Sequence, residues 1–185
     1  MLWRNVFVAA AAGVAVLVGA GSASAFPTGS GYVHIVGTKD TSLYFNAYAC
    51  ADDTNVVLWT YTTSCDHGNN ESWIFYELSS GYDSVYTNYS GNYDCLNVYQ
   101  NSYAEFTKIY AWKCSDPTNP SSNEMFRRPE NTPDDNYTNA AYLIPANQPD
   151  PNQYCLNAHG GLSSGNQIIL YDCNSMDDEA WSFVS

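Results

Sequence analysis

The sequence predicts an all-β fold, a barrel of three repeats of roughly fifty residues with about four short strands each. Two observations predict it. Short apolar runs, several of them alternating, are broken at close spacing by Gly, Asn, Asp, Ser and Pro, and nothing after the N-terminal stretch reads as a helix. The same ordered unit is also written three times. A Cys-Leu-Asn-Val opening, an aromatic-x-Cys return and an Asn-Glu-x-aromatic close run through residues 93–126. The order recurs over 154–181 and survives in degraded form upstream, in VVLWTY and NNESW. Taking Trp59, Trp112 and Tyr171 as equivalent gives spacings of 53 and 59; Trp73, Phe126 and Trp181 give 53 and 55. One such unit cannot bury its own apolar face, whereas three closed together can.

The chain opens with Arg4, an apolar run from Val6 to about Ala20, and the small residues Ala23-Ser24-Ala25. That is the pattern of a secretory signal peptide over residues 1–25, cleaved after Ala25. The apolar run is short, rich in Ala and Gly, and followed at once by the cleavage pattern, which argues against a membrane anchor. No later stretch is long enough to span a bilayer, so membrane insertion is not expected. The expected product is a secreted, extracellular protein of residues 26–185.

Candidate strands follow at 32–36, 43–48, 56–61, 73–78, 84–88, 96–99, 108–112, 142–145, 167–172 and 181–184. Each repeat (about 31–80, 81–130 and 141–185) begins with a Tyr-led strand: GYVHIV, GYDSVY and AYLIPA. The polar, Pro-containing tract 127–140 reads as a surface loop, and a second Pro-rich piece covers 145–152.

Composition excludes some partners. The net charge is −13, with 19 carboxylates against six basic residues, one of which is Arg4 of the leader. Such acidity argues against nucleic acid and anionic membrane surfaces. Six cysteines in a secreted chain of this size point to three disulfides, with the pairing left open by their number. No two cysteines lie two to four residues apart, so a Cys-ligated zinc site has no support. No calcium loop of the EF-hand type is present. His34, His67 and His159 sit in no nucleophile or metal arrangement. The acidic clusters Asp52-Asp53, Asp134-Asp135 and Asp177-Asp178-Glu179 fall in turns or loops. No enzyme, metal or cofactor is expected.

The ordered Cys-Leu-Asn-Val, aromatic-x-Cys and Asn-Glu-x-aromatic unit resembles the subdomain of ricin B-type lectins, whose fold is the β-trefoil. In that family each subdomain ends in Gln-x-Trp. Here the triplets are Glu71-Ser72-Trp73, Glu124-Met125-Phe126 and Glu179-Ala180-Trp181, with Glu for Gln throughout and Phe126 for the second Trp. The resemblance covers about residues 31–185. It implies disulfides Cys95–Cys114 and Cys155–Cys173. Cys50 and Cys65 depart from the pattern and are left to pair with each other, the first-repeat cysteine positions being taken at about Ser42 and at Tyr61.

The resemblance also implies a function, binding carbohydrate without catalysis. A pyranose has an apolar face of C–H groups and a rim of hydroxyls, so its site needs an aromatic plate and fixed amides or carboxylates. In the family the plate stands two residues before the second cysteine. An Asp two residues after the first cysteine accepts a hydroxyl, and an Asn before the Gln-x-Trp triplet adds a hydrogen bond. Carried over, these positions are Trp112, Asn97 and Asn123 in the middle repeat, and Tyr171, Asn157 and Asp178 in the last. In the first repeat they are Trp59, about Tyr44, and Asn70, which leaves no amide or carboxylate as acceptor. Trp73, Phe126 and Trp181 are expected in the core. The implied partners are glycans or glycoproteins, galactose-type by resemblance, bound by a monomer. The sequons at Asn70, Asn88 and Asn136 are candidate glycosylation sites, and a glycan on Asn70 would occupy the first repeat's site. The other reading is a secreted trefoil that has lost sugar binding and binds or inhibits proteins such as hydrolases.

Overall fold

The structure, a computed structural model, describes residues 31–61, 65, 70–89, 91–129, 140–174 and 177–185. The expected signal peptide, His67, Asp134-Asp135 and the Asn136 sequon lie outside the described residues. Among these residues there is no α-helix, and the ordered elements are β-strands and short 3-10 turns.

Six strand segments close a ring, one of them split into two short strands. β1 (His34–Gly37) pairs antiparallel with β13 (Trp181–Val184), and a bridge between Val33 and Trp73 links its start to β4 (Ile74–Glu77). β4 pairs with β5 (Asp83–Thr87), β5 with β8 (Met125–Arg127), and β8 with β10 (Ile144–Pro145). The neighbouring β9 (Ala140–Ala141) pairs back onto β13. First strand thus meets last strand of the preceding unit at every junction, which removes open sheet edges.

Three hairpins cap the ring: β2 (Leu43–Ala47) with β3 (Thr54–Thr60), β6 (Asp94–Val98) with β7 (Ile109–Lys113), and β11 (Tyr154–Ala158) with β12 (Ile168–Asp172). They touch one another in a cycle, through Thr54 and Ala111, Lys108 and Ile169, and Val57 and Gln167. A six-stranded ring under three hairpins is the β-trefoil architecture expected from the repeats.

Strand alternation explains which residues fill it. Phe45, Leu96 and Leu156 occupy one inward level, and Leu58, Ala111 and Leu170 face them across the hairpins, all fully buried. Burying side chains such as Phe45, Leu96 and Leu156 stabilises by about 1.5–3 kcal/mol each. Trp73, Phe126 and Trp181 are fully buried, as expected. The indoles of Trp73 and Trp181 donate to Phe45 O and Leu156 O, both at 3.0 Å. Phe126 fills the same place with no N–H to offer. β11 was not among the sequence-derived strands: its short, fully paired YCLNA has little aromatic or branched character, and its pairing with β12 makes it a strand.

The disulfides are Cys50–Cys65, Cys95–Cys114 and Cys155–Cys173. The latter two close loops of 19 and 18 residues, worth about 3 kcal/mol each in the chain-entropy picture. The register corrects one expectation. Tyr44 stands opposite Trp59 as Cys95 stands opposite Trp112, so Tyr44 rather than Ser42 holds the first-repeat cysteine position. Where the other repeats carry a disulfide, the first packs Tyr44 and Tyr61 at a tilt of 54° with ring centroids 5.4 Å apart, and His34 packs edge-on to both.

Candidate functional site

The hairpins decide which side chains face outward. On β6, Leu96 and Val98 point into the core, which turns Cys95 and Asn97 to the other face. On β7, Ile109 and Ala111 are core and Tyr110 and Trp112 are outward. The 3-10 turn Ser122–Glu124 then brings Asn123 and Glu124 back to the same place.

Asn97, Trp112 and Asn123 therefore meet in one open, mostly polar recess of about 390 Å3, with Asp116, Asn119 and Glu124 among its other walls. Trp112 is 40% exposed, so its ring is a surface plate, not a core residue. Tyr110 lies 6.2 Å from it and is itself stacked on Tyr99 at 4.6 Å. The amides are held rigidly. Asn123 Nδ2 donates to Asn97 Oδ1 (3.1 Å) and Val98 O (3.0 Å), which uses both of its hydrogens and leaves Oδ1 as an acceptor. Asn97 Nδ2 donates to Glu124 Oε1 at 3.2 Å and has a second hydrogen left.

This geometry joins two departures from the resembled family into one. Glu124 accepts at both oxygens, from Asn97 Nδ2 and from the Ser121 backbone N–H at 2.8 Å. An Asp at position 97 would need a donor here, and Gln would supply it while its carbonyl took the Ser121 N–H. Asn with Glu, or Asp with Gln, satisfies every partner; either mixed pair leaves a clash or an orphan. The exchange is made in all three repeats. Asn46 Nδ2 donates to Glu71 Oε1 at 2.8 Å, and Asn157 Nδ2 to Glu179 Oε1 at 3.3 Å, while Glu179 Oε2 takes the Asn174 N–H at 3.0 Å. The carboxylate of each pair is buried, and the amide stands where the resembled family has Asp.

Asn157, Tyr171 and Asp178 also come together, in a recess of about 260 Å3 shared with Phe106, His159 and Gly160. Asp178 hydrogen-bonds with Asn157, and its Oδ1 is buried without a hydrogen-bond partner among the described residues. Burial raises the Asp178 carboxyl above its ordinary value of 3.8, against its own backbone N–H and Asn157, which pull it down.

The first repeat differs from its expected reading. Because Tyr44 matches the cysteines, the acceptor position is Asn46, an amide in the same hydrogen-bond pattern as Asn97 and Asn157. Asn70 is 3% exposed, and its Nδ2 donates to Asn46 Oδ1 (2.9 Å) and Ala47 O (2.7 Å). That nitrogen is where a glycan would attach, so the folded chain has no place for one at Asn70. Asn88, by contrast, is exposed.

Sequence reasoning missed four contributors. Glu124 and Glu179 were read only as altered signature residues, although the Asn–Glu pairing was readable from their joint replacement. His159 and Phe106 gave no signal, because their approach to Tyr171 depends on how hairpins of different repeats pack.

No family model and no curated protein match the sequence. Solved structures do match. A designed threefold-symmetric protein, ThreeFoil, superposes with a TM-score of 0.66 at 19% identity over 84% of this chain and 99% of that one. A ricin B-like lectin of Macrolepiota procera, solved with lactose, gives 0.63 at 17% identity over 86% and 97%. The C-terminal half of an earthworm R-type lectin, solved with GalNAc, gives 0.55 at 12% identity over 84% and 99%. With the ring, the three hairpins and the threefold recurrence of the Asn–Glu pair, these likenesses establish that the chain carries the β-trefoil fold, the fold it shares with ricin B-like lectins.

Proposed function

We propose that the protein is a secreted, non-catalytic carbohydrate-binding protein with its main site in the middle repeat and a second in the last. The observation that carries this reading is the meeting of an exposed Trp112 with the fixed amides of Asn97 and Asn123 in one open recess. The indole offers a plate for the C–H face of a sugar, Asn97 keeps an N–H to give, and Asn123 Oδ1 can accept a hydroxyl. In the last repeat Tyr171 is the plate, and Asp178, whose Oδ1 has no hydrogen-bond partner among the described residues, is the acceptor for a sugar hydroxyl. The lectins of like fold that were solved with lactose and GalNAc support a galactose-type ligand. Three disulfides suit an extracellular setting.

A glycan array probed with wild type, Trp112→Ala and Tyr171→Ala tests the proposal. Wild type is expected to bind, with most signal lost in Trp112→Ala and a smaller part in Tyr171→Ala. A wild type silent on the array, or binding indifferent to both changes, refutes it and leaves a protein-directed trefoil to be tested by inhibition of secreted hydrolases.

A further inference from the structure

The hairpin cycle brings the turn of one repeat to the plate of the next. Asp53 Oδ1, in the β2–β3 turn, accepts the Lys113 N–H beside Trp112 at 2.9 Å. Phe106, in the β6–β7 turn, donates its N–H to Leu170 O at 2.9 Å, and Leu170 N–H donates to Thr107 O at 2.7 Å, beside Tyr171. Gly165, in the β11–β12 turn, donates to Leu58 O at 2.7 Å, and a Cβ added there would lie 3.7 Å from the Trp59 ring. The three positions are equivalent, and all are left-handed, with φ of 53°, 65° and 90°.

Glycine adopts that conformation freely, Asp tolerates it, and a bulky aromatic is an outlier there. Backbone preference therefore does not explain Phe106. Core packing does not explain it either, because the residue is 54% exposed. Its ring stands over the last repeat's recess, 5.5 Å from Tyr171 at 62° and 5.6 Å from His159 at 88°. The two faces of Tyr171 and Phe106 make a corner, with Asn157 and Asp178 on its floor.

Resting on the carbohydrate reading, we infer that Phe106 is a second sugar-contacting surface, given by the middle repeat to the site of the last. The ligand of that site is then a glycan of two or more residues: one sugar on Tyr171, held by Asn157 and Asp178, and the next against Phe106. The 260 Å3 recess is smaller than the roughly 300–1,000 Å3 of sites that enclose a whole drug-sized ligand, which suits a single sugar inside and a neighbour on the rim. The middle site has Asp53 at this position, its carboxylate tied to a backbone N–H, so it offers no such wall. The two sites are set apart by ligand length.

The test uses the full chain carrying Trp112→Ala, which silences the middle site, with and without Phe106→Gly. Glycine relieves the left-handed backbone, so the second change is compatible with folding. Calorimetric titration is done with galactose, N-acetylgalactosamine, glucose and mannose, and with lactose, N-acetyllactosamine, cellobiose and mannobiose. Phe106→Gly is expected to leave the monosaccharide affinity within about twofold and to weaken the matching disaccharide at least about fivefold. Equal loss for both, as a structural role would give, or no change in either, overturns the inference and leaves the carbohydrate reading standing. If the Trp112→Ala protein binds none of the eight probes, the last-repeat site is refuted and the inference falls with it.

Discussion

Asn97→Asp, a change toward the resembled family, is expected to damage this protein. It would replace the donor that meets Glu124 by a second carboxylate oxygen at about the same 3.2 Å, between two residues that are 7% and 6% exposed. Two like charges at that separation repel by about 5 kcal/mol at an effective dielectric of about 20. The pair can escape by sharing a proton, at about 1.4 kcal/mol for each pH unit between 7 and a carboxyl reference near 4. Proton capture therefore caps the loss at about 4 kcal/mol at pH 7. Glu124→Gln alone should cost about 1–3 kcal/mol, since the two donors meet different oxygens and Gln sets an NH2 group against either Asn97 or Ser121. Together the two changes rebuild a complementary Asp–Gln pair. The double variant is expected within about 1 kcal/mol of wild type, a coupling of at least about 3 kcal/mol.

Urea unfolding of the four proteins at pH 7, with the slope checked for constancy, measures this cycle. The single Asn97→Asp defect should shrink toward pH 4, where the proton is cheap to acquire. Losses that add within about 0.5 kcal/mol would refute the paired reading of the amide and the carboxylate. If the pairing holds, the double variant also presents a carboxylate to the ligand. Its sugar affinity should rise, because a hydrogen bond to an ionised acceptor is roughly twice as strong as a neutral one.

Other expectations follow from the same structure. Arg128 makes two hydrogen bonds to Asp83, at 2.6 and 2.9 Å, with both side chains under 10% exposed and the guanidinium 4.5 Å over Phe75. Removing either partner should cost about 3–5 kcal/mol in thermal or urea unfolding, and a loss under about 1 kcal/mol would show the pair to be dispensable. Sugar binding in the Trp112→Ala protein should need ionised Asp178, whose pKa burial has raised. Affinity is then full well above that pKa and lost as pH falls through it, in a window starting above the ordinary 3.8. His159 lines the same recess and Asp177 adjoins it, so Asp178→Asn is the control: calorimetry should find its binding already as weak at neutral pH as that of the Asp178 protein at acid pH, with no further acid loss. Expressed in a eukaryotic secretory pathway, the protein should carry a glycan at Asn88 and none at Asn70, as peptide mass spectrometry would show.

What the sequence disclosed and what it withheld have physical reasons. The fold was legible because a trefoil repeats its constraints: buried Trp73, Phe126 and Trp181 must recur at one spacing, and so must the outward plates. That Asn97, Trp112 and Asn123, and likewise Asn157, Tyr171 and Asp178, would come together was legible because a cysteine two residues before Asn97 and Asn157 marked the register. The first repeat has no such marker. With Tyr44 and Tyr61 in the cysteine positions, the pattern points to about Ser42, two residues early, and gives no signal that Asn46 is the counterpart of Asn97 and Asn157. Phe106 and His159 were beyond reach for a different reason. Nothing local in EFTKIY says that its turn will lie on the strand carrying Tyr171, 65 residues later; that neighbourhood exists only once the three hairpins close.

The displaced carboxylate also bears on what such a site can select. An ionised Asp only accepts, so it admits a hydroxyl acting as donor and rejects other arrangements. Asn97 keeps a free N–H and a carbonyl that already serves Asn123, so a sugar hydroxyl can meet it as acceptor. On the proposed carbohydrate reading, discrimination among sugars then passes from the charged acceptor to the shape of the aromatic walls. Those walls differ between repeats, where the amide–carboxylate pairs do not. Trp112 faces a turn with Asp53, Tyr171 a turn with Phe106, and Trp59 a turn with Gly165. Three repeats that share the Asn–Glu pair therefore differ in the plate, in the residue before the Glu, and in the left-handed residue lent by a neighbour.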